Sequence, residues 1–295
     1  MLNKNYQLKR GTNMKIGLVD QDGKMPNIAL MKISKHHKNN GDSIKWYEPL
    51  FDYPDRVYIS KIFNFTEDYQ YEPDCDVVKG GSGYDIKKKL PNKIEKEDPD
   101  YTIYPDCNYS IQMFSRGCIR NCPFCVVREK EGKIKPIEPM KLNPKGEWIE
   151  VFDNNFFANP KWEEAINKLI EWNQPVNFHG IDVRILNKKQ ANYLNKLKHK
   201  KQIHIAWDNP KNDLTDKLKM VTKLIKPYKL MCYVLIGYWS SKDEDLWRVK
   251  TLDKLGIDPF VMPYDKSDQY QKNFSRWVNH KAIFNTVKWK DYKKR

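Results

Sequence analysis

The stretch SIQMFSRGCIRNCPFC, residues 110–125, joins an apolar run to three closely spaced cysteines. Ser110 to Ser115 predicts a β-strand, and Cys118, Cys122 and Cys125 follow in the loop after it. A 4Fe–4S cluster is usually closed by four cysteines, so three thiolates in one loop leave one iron open to another ligand. An open coordination position likewise marks catalytic rather than structural zinc. The spacing therefore predicts a metal centre at which a further molecule binds.

Three simpler interpretations are a zinc knuckle, a disulfide and three unrelated thiols. Structural zinc requires a fourth Cys or His nearby, and no second pair follows Cys125 at knuckle spacing. A disulfide framework is typical of short secreted chains, whereas this chain has six cysteines in 295 residues and no signal peptide. The open cluster is favoured over these interpretations.

The Cys-x3-Cys-x2-Cys spacing, with the aromatic Phe124 before the last cysteine, resembles the signature of the radical S-adenosylmethionine (SAM) superfamily. The resemblance implies a single 4Fe–4S cluster, SAM as the ligand of its free iron, and reductive cleavage of SAM to a 5'-deoxyadenosyl radical that abstracts hydrogen from a substrate. It places Phe124 against the adenine and implies a reductant such as flavodoxin or ferredoxin as partner. The chain is also similar to single-cluster members from anaerobic bacteria and their phages, through residues 208–211 and 276–279.

Strand-like runs alternate with amphipathic helices from Tyr109 onward, which is typical of an α/β fold with a parallel sheet. The last helix is predicted over Ser275 to Phe284. The predicted strands are Ser110 to Ser115, Trp148 to Phe152, Val176 to Phe178, Ile203 to Trp207, Leu230 to Ile236 and Pro259 to Met262. Six such units match the partial (βα)6 TIM-type barrel that the resemblance implies.

Polar residues follow several of these strands, at the edge where parallel α/β folds build their sites. The candidate SAM-binding residues are Phe124, Asp153, Asn154, Asn155, Asp182, Arg184, Asp208 and Gly237. By resemblance, residues 153–155 lie where the family contacts the SAM amino group, although the glycines often found there are absent. Asp182, Arg184 and Asp208 are candidates for the ribose, the SAM carboxylate or the substrate, and Gly237 for the adenine.

Each of these residues also has a structural interpretation, as a helix cap, a salt bridge or a strand-ending glycine. His179 and His204 are candidates for proton transfer, and packing explains them equally well. The three remaining cysteines, Cys75, Cys107 and Cys232, are widely dispersed. This dispersion disfavours a second cluster and with it methylthiotransfer.

The N-terminal region predicts a small Rossmann-like domain over residues 14–86. Its predicted elements are a strand at Met14 to Asp20, a helix at Pro26 to Asn39, and strands at Ser43 to Tyr47 and Arg56 to Ser60. It resembles the cobalamin-binding domain that precedes many radical SAM barrels. The Asp-x-His-x-x-Gly pattern is missing, which disfavours cobalamin, but some relatives bind it without that histidine, so this cofactor stays open.

The remaining boundaries follow from composition. Residues 1–13 are polar and lack a periodic pattern, which predicts a disordered extension. Residues 87–107, rich in Lys, Glu, Asp and Pro, are interpreted as a connector, and Cys75 and the turn Gly80 to Tyr84 as the end of the first domain. Residues 108–295 then form the barrel with a basic C-terminal tail.

The net charge of +15 favours a nucleic acid or nucleotide as the substrate, because Lys and Arg neutralise phosphates. Lysines are densest over Lys188 to Lys201 and over the tail from Lys281 to Arg295, where Trp289 and Tyr292 lie among them. Solvated surfaces are the simpler explanation. Two alternatives stay open: a cobalamin-dependent radical SAM methyltransferase, and a non-enzymatic iron–sulfur or zinc protein that binds nucleic acid.

No apolar run approaches the length of a membrane span, so no membrane partner is expected. Free thiols and an oxygen-sensitive cluster both require a reducing compartment. A cytoplasmic protein is therefore predicted.

Overall fold

The computed structural model describes residues 13–292. The chain divides into two compact units, Met1–Cys107 and Asn108–Arg295. The predicted disordered extension, apart from Asn13, lies outside the described residues, as do Lys293, Lys294 and Arg295 of the predicted basic tail. No helix in the described part of the chain is long and apolar enough to cross a membrane.

The first unit contains one parallel sheet with strand order β2-β1-β3-β4. Its elements are β1 Lys15–Asp20, α1 Ile28–Asn39, β2 Ser43–Trp46, β3 Arg56–Ser60, β4 Asp76–Gly80 and α2 Asn92–Glu95. Ile16 and Leu18 of β1 pack with Leu30 and Ile33 of α1, which leaves Val19 and Val57 for a second cluster on the opposite face. The α/β character predicted for this region is confirmed, and its sheet is parallel.

Helix α1 begins two residues later than the predicted start at Pro26. Asn27 is its N-cap, with extended backbone and a side chain that accepts hydrogen bonds from the amides of Ala29 and Leu30 at 3.1 and 3.3 Å. An asparagine side chain accepts hydrogen bonds from the amide N–H groups of the first helical turn, which have no partner within the helix. Pro26 has no amide N–H and so cannot donate such a bond. The cap therefore fixes the start of the helix.

Residues 87–107, interpreted from the sequence as a connector, are grouped with the first unit. Ile94 is buried in the α1 side of the core, and Asp100 is only 7% exposed. Burial would raise the pKa of Asp100, but hydrogen bonds from Lys38, Ser34 and Thr102 lower it to about 2. Strand β4 was not predicted either, because the sequence interpretation ended this unit at Cys75 and the glycine-rich turn.

The second unit contains two three-stranded parallel sheets, ordered β5-β8-β9 and β10-β11-β12, and a short antiparallel pair, β6-β7. Its strands are β5 Tyr109–Gln112, β6 Ser115–Arg116, β7 Lys135–Pro136, β8 Trp148–Val151, β9 Val176–Phe178, β10 Ile203–Ala206, β11 Leu230–Ile236 and β12 Asp258–Pro263. Its helices are α3 Val127–Glu131, α4 Trp162–Trp172, α5 Lys188–Lys196, α6 Thr215–Thr222, α7 Lys242–Lys254, α8 Gln269–Asn279 and α9 Lys281–Thr286.

All six predicted strands of this unit are present, with shifted ends in four of them. The first strand ends at Gln112 because Ser115 pairs instead with Pro136 in the antiparallel ribbon. The single predicted last helix is wrong, since the backbone of His280 is extended and separates α8 from α9. Asp268 starts α8 earlier than predicted, because its side chain accepts a hydrogen bond from the amide of Gln271 at 2.8 Å.

Side chains along β8, β9 and β10 alternate between two faces. Ile149, Val176 and Ile205 are at most 1% exposed and lie in the main hydrophobic core with the helices. Because successive strand residues point to opposite faces, Glu150 and His204 lie on the face turned away from that core. This polar face is the inner face of the strands, and it borders the candidate site.

Candidate functional site

A cavity of about 190 Å³ lies at the carboxyl ends of β8, β9 and β10. Its volume is more than ten times what one water molecule requires. It brings together nine of the eleven site residues predicted from the sequence: Cys118, Cys122, Phe124, Cys125, Asn154, Asn155, Asp182, Arg184 and Asp208. Asp153 and Gly237 lie outside its lining.

The cysteine loop begins at a glycine that no other residue replaces without strain. Gly117 has a φ of +84°, and a Cβ atom there would lie 2.5 Å from the carbonyl oxygen of Lys133. Its amide donates a hydrogen bond to Glu131 at 2.8 Å, while Arg128 donates to the carbonyl oxygen of Cys118 at 2.9 Å. The start of the loop is therefore held against α3 and the turn after it.

All three cysteines of the loop line the cavity. The Cys118 sulfur accepts a hydrogen bond from the amide of Arg120 at 3.3 Å, and Cys125 closes a turn by donating its amide to the carbonyl oxygen of Cys122 at 2.9 Å. Burial raises the pKa of the Cys122 thiol, and the nearby Arg184 guanidinium opposes that rise. All six cysteines lie in the described range, and none of them forms a disulfide.

The donor set fits an iron–sulfur cluster in kind, because cysteine thiolates are the ligands of such clusters. A single zinc ion binds all its thiolates at about 2.3 Å and so holds the ligand sulfur atoms close to one another. A four-iron cluster binds each thiolate to a different iron, so its ligand sulfur atoms lie further apart. Within residues 13–292 no group of three or more His, Cys, Asp or Glu side chains is arranged to hold a metal ion. The thiols share a cavity without forming a compact single-ion site.

Two arginines converge on one carboxylate in this cavity. Asp182 accepts hydrogen bonds from Arg120 Nε at 3.0 Å and from Arg184 Nε at 2.7 Å. Burial would raise the pKa of Asp182, but the two guanidinium groups hold it below its usual value. The cavity is lined by three arginines, Arg120, Arg128 and Arg184, and by two carboxylates, Asp182 and Asp208, and this excess of positive charge favours an anionic group on a ligand. Burial raises the pKa of the neighbouring Asp208.

Asn155 supplies a polar atom that has no partner. Its Nδ2 donates to Asp182 Oδ2 at 3.5 Å, but its Oδ1 is buried without a hydrogen bond, and the residue is 2% exposed. A buried acceptor left unpaired costs about 1–3 kcal/mol. A ligand with an N–H or O–H donor would remove that cost, so Asn155 suits the binding of such a group. Asn154 Nδ2 donates to Glu131 at 2.8 Å and joins its loop to α3.

Asp153 is fully buried behind the cavity wall. Its carboxylate accepts hydrogen bonds from the amide of Phe114 at 2.9 Å and the hydroxyl of Ser115 at 2.5 Å. Burial raises its pKa to about 6 despite these bonds. The structure therefore places Asp153 where it ties the end of β8 to the segment that leads into the cysteine loop.

Gly237 follows β11 but faces helix α8 rather than the cavity. Its φ is +80°, and a Cβ atom there would lie about 2.1 Å from the side chain of Gln271. The glycine is thus required for close packing between the strand end and the helix.

Several residues of the site were not singled out from the sequence. Arg120 lines the cavity from the cysteine loop itself, Arg128 lines it from α3, and Tyr233 lines it from β11. Phe124 contacts Tyr238 and Trp239, with ring centroids 5.4 Å apart in both pairs. The position of this aromatic pair directly after a strand was the available signal, as was the alternation that puts Tyr233 on the inner face.

The chain matches no known family model, and no curated protein matches it significantly. The residues of the cavity are therefore the basis on which a function can be inferred. Its distinctive combination is three cysteine thiols, an arginine-bound carboxylate and an unpaired buried acceptor.

Proposed function

We propose that the protein is a radical SAM enzyme with a single 4Fe–4S cluster. The observation that carries the proposal is the shared cavity: the thiols of the Cys-x3-Cys-x2-Cys loop line it together with polar groups from three successive strand ends. The thiols supply three ligands, and the polar groups supply partners for a small charged molecule. The proposal assigns the cavity to SAM.

Each group of SAM has a candidate partner among these residues. Cys118, Cys122 and Cys125 would hold the cluster, which supplies one electron to the sulfonium of SAM when bound. Arg184 and Arg120 supply the positive charge for a carboxylate, and the unpaired Oδ1 of Asn155 accepts from a donor such as an ammonium group. The ring of Phe124, braced by Tyr238 and Trp239, offers an apolar surface for an adenine.

We further propose that the two sheets of the second unit are halves of one partial (βα)6 barrel. Two observations support this. Strands β9 and β10 are consecutive in the chain and lie near each other, and Val176 of β9 bridges in parallel fashion to His199, just before β10. In a barrel the strand order β5-β8-β9-β10-β11-β12 would follow the chain, as parallel βα units require.

The test is anaerobic reconstitution of the full chain with iron and sulfide, followed by SAM and dithionite or reduced flavodoxin. We expect about four irons per chain and formation of 5'-deoxyadenosine and methionine, measured by mass spectrometry. Changing Cys118, Cys122 or Cys125 to Ala should abolish both the cluster absorbance and the product.

Cys75→Ala is the matched control, because Cys75 lies in the first unit, outside the triplet, and is also a free thiol. It should retain the cluster and product formation. A chain that binds the cluster yet forms no 5'-deoxyadenosine would refute the enzyme proposal, and equal loss in Cys75→Ala would refute the assignment of the triplet.

Within this class we propose a polyanionic substrate, a nucleic acid or nucleotide, on the net charge of +15. Retention on heparin that falls steeply with added salt is the expected result. Binding that does not depend on salt would contradict this choice of substrate, and the SAM assay above would be unaffected.

A further inference from the structure

The inner face of β8, β9 and β10 carries ionisable side chains where packing alone would favour apolar ones. Glu150, His179 and His204 occupy this face, whereas Ile149 and Ile203, on the opposite face, are at most 1% exposed in the hydrophobic core. A buried charge costs several kcal/mol unless it is paired and hydrogen-bonded. Ionisable residues are nevertheless present on this face beside the cavity, although burying their charges is unfavourable.

Glu150 is a buried carboxylate with both oxygens in use. Its Oε2 receives hydrogen bonds from His179 Nε2 and Asn177 Nδ2, both at 2.6 Å, and its Oε1 receives one from Trp148 Nε1 at 2.7 Å. Burial would raise the pKa of Glu150, but these donors hold it below its usual value. The carboxylate is therefore ionised at neutral pH, and His179 must donate from Nε2 to reach it.

That hydrogen bond decides which nitrogen of His179 is available to a ligand. The ring is stacked on Phe152, with centroids 4.3 Å apart and planes at 10°, so its orientation is fixed. Its side chain is 35% exposed and lines the cavity. With Nε2 engaged, Nδ1 is left as an acceptor that no described residue uses.

The other ionisable groups around this imidazole are few. His204 approaches from β10, and burial lowers its pKa, which keeps it neutral at neutral pH; its Nδ1 is buried without a hydrogen bond. Asp182, Arg184 and Asp208 line the same cavity from the strand-end loops. Glu150 is the carboxylate that contacts the His179 ring directly.

We propose that His179, positioned by Glu150, is the acid–base residue of this cavity and accepts a proton from an O–H or N–H group of the substrate. In that step the substrate O–H or N–H bond breaks, its electron pair stays on the oxygen or nitrogen, and a new N–H bond forms at Nδ1. The imidazolium that results is paired with the Glu150 carboxylate at Nε2. The proposal holds whichever cofactor the cysteines bind, and it requires no oxidant or reductant.

The experiment maps acylation of the six histidines of the full chain by diethyl pyrocarbonate at neutral pH, using peptide mass spectrometry. This reagent attacks accessible, unprotonated imidazole nitrogens. His179 should react, as should the exposed His280, whereas His37, whose two nitrogens bond Asp42 and Tyr58, should not. Glu150→Gln should slow acylation of His179 about tenfold, because the carboxylate makes the imidazole more basic; this is the lower end of the effect that such carboxylates have on metal-bound imidazoles.

Glu147→Gln is the matched control, because it is the same substitution at an exposed position just before β8, and it should react as the unaltered chain does. An unreactive His179 beside a reactive His280 would overturn the proposal, as would equal rates in the two variants. If Glu150→Gln does not fold, nitrogen NMR of the unaltered chain decides: a proton on Nε2 and none on Nδ1 supports the proposal, and the opposite tautomer refutes it.

Discussion

Replacing Arg248 with Met should remove a buried charge that joins the ends of β10 and β11. Arg248 of α7 has a side chain with 0% exposure and contacts Asp245 at 2.7 Å. It also donates to the carbonyl oxygens of Trp207 at 2.8 Å, Asp208 at 3.1 Å and Leu235 at 2.9 Å. One guanidinium thus satisfies carbonyls that follow or end two neighbouring strands.

The expected loss in the free energy of unfolding is about 4 kcal/mol. Removing one partner of a buried ion pair costs about 3–5 kcal/mol, because the other charge is left uncompensated. Burial raises the pKa of Asp245 and lowers that of Arg248, so burial disfavours both charges. Adding Asp245→Asn to Arg248→Met should therefore recover about 2 kcal/mol, while the unpaired carbonyls keep the double variant below the unaltered chain.

Urea unfolding followed by tryptophan fluorescence measures this effect, since eight of the nine tryptophans lie in residues 108–295. With a slope of about 2 kcal/mol per M, the midpoint should fall by about 2 M. Lys219→Met is the matched control: it breaks an i,i+3 pair with Asp216 at 3.0 Å on the exposed surface of α6 and should leave the midpoint unchanged. A midpoint for Arg248→Met equal to that of the control would refute the reasoning.

Two further predictions concern pH and packing. The pKa of Asp100 is lowered to about 2 in the folded state, so its contribution of up to about 2 kcal/mol should be present above pH 4 and lost as pH falls toward 2. The pKa of Asp153 is raised to about 6, so the second unit should instead gain up to about 3 kcal/mol of stability as pH falls from 6 to 4. Hydrogen exchange measured separately for the two units follows both changes in stability. Parallel pH profiles for the two units would contradict the assignment of these effects to Asp100 and Asp153. Gly237→Ala should cost at least about 2 kcal/mol, because φ is positive and Gln271 blocks the Cβ, whereas Gly132→Ala, with a φ of +79° and no atom within 4 Å of the added Cβ, should cost about 1 kcal/mol. Equal thermal unfolding midpoints for the two alanine variants would show that the Gln271 side chain moves aside and that its contact adds no cost.

The strands of the second unit could be predicted from the sequence because their apolar runs are short, separated and bounded by polar residues. The position of the cavity followed from one rule, that parallel strands gather their following loops at one edge. This rule brought Cys122, Asn155 and Asp208 together without any knowledge of contacts. The rule does not give the direction in which a strand-end side chain points. It therefore did not separate Asp153, which bonds Phe114 and Ser115 outside the cavity lining, from Asn154 and Asn155, which line the cavity.

The features that were missed depend on contacts between residues far apart in the chain. Residues 87–107 look like a connector because they are charged, yet Asp100 is held by side chains of α1, more than 60 residues earlier. Glu150 was not selected because a single acidic residue in an apolar strand gives no sign of its partner. Only the register of β8 against β9 puts Glu150 opposite Asn177 and within reach of His179.

Two carboxylates determine where the cysteine loop sits relative to the rest of the cavity. Glu131 accepts from the amide of Gly117 and from Asn154, so it links the start of the loop to the end of β8. Asp182 accepts from Arg120 inside the loop and so links it to the end of β9. Burial would raise the pKa of both carboxylates, but their donors hold each below its usual value. The position of the thiols therefore depends on two ionised groups that both stay charged at neutral pH, and strongly acidic conditions that protonate them would weaken both links.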